Sequence, residues 1–369
     1  MNQVLLRSYN ELINYFKKNN IDNIFIVCFD IIKEMEIYKV LENQKGIKKT
    51  YFMDFQPNPT YESVCNGIKE FKNSKSKYII AIGGGSALDV AKCIKLFANL
   101  DDKTNYLEQE FSDNDITLMA VPTTAGTGSE ATKYAVIYYQ GKKQSVTHNS
   151  IIPTIVLFDA KMLESLPLYQ KKATVLDALS HAIESFWSVN SNNESKEYSK
   201  EAIKIIINNF DKYLDNDQKV YDKMLYAANL AGKGINITQT TAGHAMCYKL
   251  TSLYGISHGH AACLINSILL PFMINNLDKC IDYRGKEYLS DVFNELVRTF
   301  NLNSLNELKE YLEKLLNKLD LYNVSVNKDD LDELVHSVNP DRLKNNPVKL
   351  EEQDIRLIYE NLFKKIEMR

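Results

Sequence analysis

No stretch of this chain is both long enough and apolar enough to cross a bilayer. The most apolar run, Ala261 to Ile274, is broken by Asn266, Ser267 and Pro271 and falls short of the roughly 20 residues a spanning helix needs. The first residues mix Asn, Glu and Lys among apolar ones, so the unbroken core of a secretion signal is missing. Cysteine is sparse and carries no Cys-x-x-Cys spacing: Cys28, Cys65, Cys93, Cys247, Cys263 and Cys280 are scattered, most within apolar runs. Free, mostly buried thiols in a reducing cytoplasm are therefore expected, in place of a disulfide framework. There is also no excess of positive charge. A net charge of −3 without a basic stripe argues against nucleic acid and anionic membranes as partners. No internal repeat or low-complexity tract is present.

What the chain does have is length. Its 369 residues, 45% apolar and 25% charged, are ordinary for a globular protein but too many for one core. Two domains are expected, residues 1–165 and 166–369. The first half alternates. An amphipathic stretch, Leu5 to Lys18, precedes the β-branched run Asn23–Cys28, which reads as a buried parallel strand. A helical stretch to about Asn43, a strand over Thr50–Asp54 and the breaker Pro57-Asn-Pro-Thr60 follow. Thr60 and Ser63 can cap the next helix, to about Lys72. Tyr78–Ile82 and Thr117–Val121 read as further strands, with a helix from Ala87 to about Ala98 between them. Ala135–Tyr139 and Gln144–Thr147 read as a hairpin, and Thr154–Phe158 as a last strand. Beyond about Leu166 helical periodicity dominates. The expected fold is an α/β doubly wound parallel sheet of Rossmann-like type followed by an all-α domain.

Two polar glycine loops follow adjacent strands. Gly83-Gly84-Gly85-Ser86 stands between a strand and a helix, where residues without Cβ let backbone N–H groups approach a pyrophosphate. It is neither a Walker A loop nor G-x-G-x-x-G. The second loop, Thr123 to Ser129, adds hydroxyls and two glycines, and both loops are expected at the C-terminal ends of their strands. A nucleotide site is the reading that accounts for both.

The second concentration of chemistry is Asp177-Ala-Leu-Ser-His181-Ala-Ile-Glu184. Asp177 and His181, four residues apart on a helix, share a face. Val175, Leu176, Leu179, Ala182 and Ile183 make that helix apolar on most sides and so buried. A buried Asp and His need partners, and spacing leaves two readings open: each satisfies the other, or both bind a cation. His244 and His258 complete a set of three imidazoles and a carboxylate suited to Fe(II) or Zn(II). Singly, each reads as a satisfied core histidine. His260 is expected to point elsewhere, and His148 and His336 to lie at the surface or behind the site.

Taken together these segments resemble the iron-containing (group III) alcohol dehydrogenases. Gly83 to Lys92 is similar to that family's GGGSxxDxAK, Pro122 to Glu130 to its PTTxGTGSE, Pro57 to Thr60 to its PNPT, and Asp177 to Glu184 to its DAxxHAxE. His244, His258-Gly259 and Asn345-Asn-Pro347 follow at the family's spacing. The resemblance covers nearly the whole chain. It implies Asp177, His181, His244 and His258 as ligands of Fe(II), or of Zn(II) in relatives. It implies Gly84, Gly85, Ser86 and Asp89 in the pyrophosphate loop, Thr123, Thr124 and Thr127 near phosphate and nicotinamide ribose, Asn58 on the adenosine side and Lys143 on the cofactor. It also implies a homodimer or higher homo-oligomer.

Two departures stand out. Where many members carry a further His lining the nicotinamide pocket, this chain has Tyr248, a phenol that could supply the proton. At the end of the first long strand Phe29 takes the usual selector position with Asp30 following. Asp30 near a ribose hydroxyl would favour NAD; turned away, it leaves NADP open. The expected activity is reduction of an aldehyde to its alcohol with NAD or NADP as hydride carrier. Segments 133–138, 144–148 and 248–255 are similar to phosphonoacetaldehyde reductases, which make 2-hydroxyethylphosphonate. Lys249 or Lys133 would then meet the phosphonate. The alternatives are a simple alkanol or diol dehydrogenase (butanol, lactaldehyde or 1,3-propanediol type), a dehydroquinate synthase-like cyclase, and a non-enzymatic nucleotide- or metal-binding protein. Asp177 speaks against the cyclase, whose metal set usually begins with Glu.

Overall fold

A computed structural model describes residues 3–368. They form two compact units, one of residues 3–124 and 128–165, the other of residues 125–127 and 166–368.

The first unit is an α/β sheet structure. Strands β1 (Val4–Leu6), β2 (Asn23–Cys28), β3 (Lys48–Phe52), β4 (Tyr78–Gly83), β5 (Thr117–Pro122) and β8 (Ile155–Leu157) form one sheet in the order β1-β8-β5-β4-β2-β3. Every neighbouring pair in it is parallel. A separate antiparallel hairpin joins β6 (Tyr134–Tyr139) and β7 (Lys142–Thr147) around Gln140-Gly141, as the sequence leads one to expect. The unit's helices are α1 (Tyr9–Lys18), α2 (Glu36–Glu42), α3 (Tyr61–Ser74) and α4 (Gly85–Phe97).

Alternation along the strands explains why both faces of the sheet are covered. Phe25, Val27, Ile79, Ala81, Leu118 and Ala120 point into a core shared with Val64, Ile68 and Phe71 of α3 and Val90, Ile94 and Phe97 of α4. Their neighbours Ile24, Ile26, Ile80, Ile82, Met119 and Val121 point into a second core with Leu12 and Phe16 of α1 and Ile37 and Leu41 of α2. A parallel sheet buried on both sides needs such continuous apolar strands. Thr60 caps α3, its side chain accepting from the Ser63 N–H.

One expectation is corrected. Leu5 and Leu6 do not belong to the amphipathic helix. They pair with Val156 and Leu157 as an edge strand, and the helix begins at Tyr9 behind Ser8, which caps it through the Glu11 N–H. Tertiary pairing of apolar residues outweighs local periodicity there.

The second unit is helical: α5 (Leu168–Trp187), α6 (Asn193–Leu214), α7 (Tyr221–Thr238), α8 (Ala242–Tyr254), α9 (His258–Asn275), α10 (Lys286–Thr299), α11 (Leu305–Lys318), α12 (Leu331–His336), α13 (Pro340–Leu343) and α14 (Glu352–Glu367). Its centre is α5, which packs on α6, α7 and α9 and buries an unbroken run from Val175 to Trp187. Helix α9 is apolar on nearly all sides and buried from Gly259 to Leu270, the pattern of a helix surrounded by others. Among the described residues no helix is long and apolar enough to cross a membrane. The six cysteines are free, four of them buried.

Candidate metal centre

Three helices of the second unit deliver the site. Asp177 lies at the middle of α5, His244 in the first turn of α8, and His258 at the first position of α9. One ligand atom from each of Asp177, His244 and His258 lies within 4.8 Å of the others. The Nε2 of His244 stands 3.4 Å from Asp177 Oδ1. A tetrahedral divalent ion with bonds of about 2.1 Å holds its donors about 3.4 Å apart. The spacing suits such an ion.

Glycines make the convergence possible. A Cβ on Gly259, the residue after His258, would lie 2.2 Å from the Ala173 carbonyl oxygen and 2.4 Å from Asp177 Cβ. A Cβ on Gly243, the residue before His244, would lie 2.4 Å from Glu184 Oε1 and 2.0 Å from Asn266 Oδ1. Only residues without a side chain let α8 and α9 press this closely on α5. Gly259→Ala meets main-chain atoms that cannot swing aside, so we expect a loss of about 1–3 kcal/mol of stability. His258 moves with it, and metal content at limiting ion should fall alongside the melting temperature.

Behind the ligands sits Glu184, fully buried. It accepts from the Thr241 N–H (2.7 Å) and hydroxyl (2.8 Å), the Asn266 amide (2.9 Å) and His244 Nδ1 (2.6 Å), with the His244 N–H at 3.4 Å. The Thr241 hydroxyl in turn receives the Trp187 indole N–H at 2.9 Å. Because a carboxylate only accepts, His244 carries a proton on Nδ1, which leaves Nε2 facing Asp177. A carboxylate behind an imidazole in this way is the arrangement that would orient it toward a metal.

The electrostatics favour a cation here. Burial alone would raise the Asp177 carboxyl, but His181, His244 and His258 together hold it well below the usual carboxylate range. Burial would likewise raise Glu184, yet its donors, His244 foremost, hold it down to about 2. Burial opposes charge on His244, and the two carboxylates overcome it, raising the imidazole to about 9. Two buried carboxylates thus demand positive charge, which a proton on His244 answers and which a divalent ion would supply in its place.

His181 stands beside this group and outside its three-residue set. Its ring stacks on His244 with centroids 4.4 Å apart. Its Nε2 lies 3.9 Å from Asp177 Oδ1, and its Nδ1 has no hydrogen-bond partner. Burial lowers it to about 4, with Asp177 opposing. The hydrogen-bonded Asp177–His181 pair that spacing had left open is absent at that distance.

The other candidates are equally specific. His258 is half-buried, sets Nδ1 3.5 Å from Cys247 Sγ, and stacks on Tyr248 with centroids 5.2 Å apart. Burial pushes the Tyr248 phenol far above its ordinary value, so it keeps its proton at neutral pH. His260 bonds the Leu321 carbonyl at 2.6 Å and faces Tyr169, as expected of a core histidine. His148 faces Ser150, and His336 is exposed. Lys249, a candidate for meeting a substrate anion, is instead paired with Glu333.

In the first unit, β2 and β4 are sheet neighbours whose following connections leave in opposite directions. That is the switch point where doubly wound sheets bind ligands. Gly84 precedes α4, and no side chain caps that helix. A Cβ on Gly84 would meet only Thr124, no nearer than 3.6 Å. The protein's own packing does not require the glycine, whereas a phosphate approaching the helix N-terminus would. Thr123 and Thr124 are half-buried in the next loop, the Thr123 N–H bonding the Gly83 carbonyl at 3.1 Å. Thr127, with Ala125 and Gly126, belongs to the helical unit, where a Cβ on Gly126 would sit 2.7 Å from Thr174 Cβ.

Asp89 and Lys92 fasten α4 to residues 129–134. Lys92 is fully buried and donates to the carbonyls of Ser129 (2.6 Å), Thr132 (2.9 Å) and Tyr134 (2.8 Å). The Ser129 hydroxyl lies 3.3 Å from Asp89, and burial raises Asp89 to about 6. Asn58 is exposed with a left-handed φ of 59°, and Lys143 lies on β7. Asp30 is exposed and paired with Lys33.

The sequence profile of the iron-containing alcohol dehydrogenases matches residues 6–160, and that of the same family's C-terminal part matches residues 171–363. The chain belongs to this family. It is an oxidoreductase of the iron-containing alcohol dehydrogenase type. A long-chain-alcohol dehydrogenase of Geobacillus thermodenitrificans is 28% identical over 87% of this chain and 83% of its own length. An NADPH-dependent butanol dehydrogenase of Clostridium saccharobutylicum is 28% identical over 75% of this chain and 77% of its own. The crystal structure of an iron-containing alcohol dehydrogenase from Thermotoga maritima superposes with a TM-score of 0.81 at 26% identity, covering 98% of both chains. The Asp177–His244–His258 group is where a member of an iron-containing family would hold its metal.

Sequence reasoning did not assign Glu184 or the two glycines, and missed Arg342, whose Nη1 donates to the Tyr248 hydroxyl at 2.7 Å. A charged residue on an otherwise apolar helix, seven positions from Asp177, could have flagged Glu184. Arg342 lies far along the chain with no signal to find it.

Proposed function

We propose that this family member reduces a short aldehyde to its primary alcohol, with Asp177, His181, His244 and His258 holding one Fe(II), or Zn(II), and a nicotinamide dinucleotide bound through Gly84, Gly85, Ser86, Thr123 and Thr124. The observation that carries the reading is the convergence of Asp177, His244 and His258 with Glu184 fixed behind them. When bound, the ion would polarise a carbonyl oxygen, worth several kcal/mol, and the dinucleotide would supply hydride.

The chain's own residues do the rest. Asp177 and the imidazoles position the electrophile, and Glu184 keeps the His244 lone pair directed. His181, stacked on His244 and near Asp177, supplies the fourth ligand. Half-buried His258 marks the side open to substrate. Tyr248, still protonated at neutral pH and stacked on His258, donates the proton that completes the alcohol.

Within this class the substrate we favour is phosphonoacetaldehyde, giving 2-hydroxyethylphosphonate, on the resemblance of segments 133–138, 144–148 and 248–255. A simple alkanol dehydrogenase is the second reading, supported by the 28% identity to the butanol dehydrogenase. An anaerobic panel of aldehydes with added Fe(II), run with NADH and with NADPH, separates them. Steady nucleotide oxidation with phosphonoacetaldehyde preferred over butanal is the expected result. Preference for butanal supports the second reading, and no oxidation with any aldehyde rejects both.

A further inference from the structure

Arg342 is a cation without a counter-ion. Among the described residues no carboxylate pairs with it, and acids of α12 and α13 are taken by other cations. Asp341, its chain neighbour, is held by Lys344 at 2.7 Å. Asp332 is held by Arg356 at 2.6 Å, and Glu333 by Lys249. The side-chain partner of Arg342 is Tyr248: Nη1 donates to the phenol oxygen at 2.7 Å, and the guanidinium carbon lies 4.9 Å from the ring centroid. That same ring stacks on His258 with an interplanar angle of 19°. A half-buried guanidinium therefore rests on the tyrosine that covers a candidate metal ligand.

A guanidinium has five N–H donors in a planar fork, suited to the paired oxygens of a carboxylate, phosphonate or sulfonate. Holding one half-buried without an acid is costly unless something else answers its charge. Tyr248 takes one donor and fixes the direction of the fork, leaving the remaining N–H groups for an anion. Lys249 cannot serve the same purpose as well, being tied to Glu333.

We propose that Arg342, held by Tyr248, recognises an oxyanion at the far end of the substrate, so that the enzyme acts on short aldehydes whose tail carries a phosphonate, sulfonate or carboxylate. This rests on the aldehyde-reductase reading of the Asp177–His244–His258 site and assigns its specificity to a residue outside that group. Arg342 binds the tail and takes no part in the transfer of hydride or proton.

The test compares tails at constant chemistry. With Arg342→Gln, the ratio of kcat/KM for phosphonoacetaldehyde to that for butanal should fall about a hundredfold, the size of a lost charge-assisted, two-pronged contact. Most of the change should lie in KM. Arg342→Lys should recover part of the ratio, since it keeps the charge and loses the fork. Lys249→Gln should leave the ratio within about twofold. Succinic semialdehyde in place of phosphonoacetaldehyde distinguishes a general oxyanion site, where both fall together, from a phosphonate-specific one. Calorimetric binding of 2-hydroxyethylphosphonate to the Fe(II)-loaded protein reads Arg342 without any turnover, and Arg342→Gln should weaken it by a similar factor. An unchanged ratio, or unchanged binding, overturns the proposal. Arg342-dependent binding with no aldehyde turnover would reject the aldehyde-reductase reading while leaving the anion site in place.

Discussion

His258→Ala should yield a folded protein that no longer retains iron and has lost at least about a thousandfold in kcat/KM. Two features separate the effect on the metal from an effect on the fold. His258 is the first residue of α9 and only half-buried, so its imidazole contributes little to the core. Its imidazole is also one of the three groups whose donors meet within 4.8 Å among the described residues, and with His258 gone the proposed set of four falls to three donors, which hold a divalent ion far less firmly. Lewis-acid activation worth several kcal/mol disappears with the ion. Metal per chain by mass spectrometry, and thermal unfolding in the presence of chelator, should show the first quantity falling and the second nearly unmoved. Full activity in a metal-free His258→Ala protein would rule out this chemistry.

Glu184→Gln should be the more damaging change to the fold, although it adds or removes almost no volume. The wild-type carboxylate faces only donors: two from Thr241, the His244 ring and the Asn266 amide. An amide in its place must point an NH2 group at one of them. Breaking a buried charged network from one side costs about 3–5 kcal/mol. It also releases His244 to adopt either tautomer, and loss of such an orienting partner lowers metal affinity about 10–100-fold. Chemical denaturation of the metal-free protein reads the first effect, and Fe(II) or Zn(II) titration reads the second. Loss of stability with unchanged metal affinity would make Glu184 a fastening residue and nothing more.

What could be read from the residues was whatever local chemistry determines. Asn23–Cys28 is a strand to the residue, because a β-branched run between polar turns has few other options. The hairpin around Gln140-Gly141 and the Thr60 cap follow from turn and capping rules. Asp177, His244 and His258 could be named from their motifs, and they converge. Whether His181 pairs with Asp177 was open from spacing, and the 3.9 Å separation answers it. Long-range choices were not legible. Nothing in Val4–Leu6 announces that its partner is β8, and nothing near Arg342 announces Tyr248. Contacts of the second kind are decided by how helices stack, and stacking depends on positions such as Gly243 and Gly259 whose importance lies in what they leave out.

Ala125–Thr127 lie early in the chain yet are part of the helical unit, with Gly126 against Thr174 of α5. During synthesis these three residues leave the ribosome well before α5 exists to receive them. The loop between β5 and the hairpin must therefore wait, tethered at both ends and unfinished, until the helical half arrives. A fragment ending near Ser165 would lack α5, and with it the Thr174 surface against which Gly126 lies.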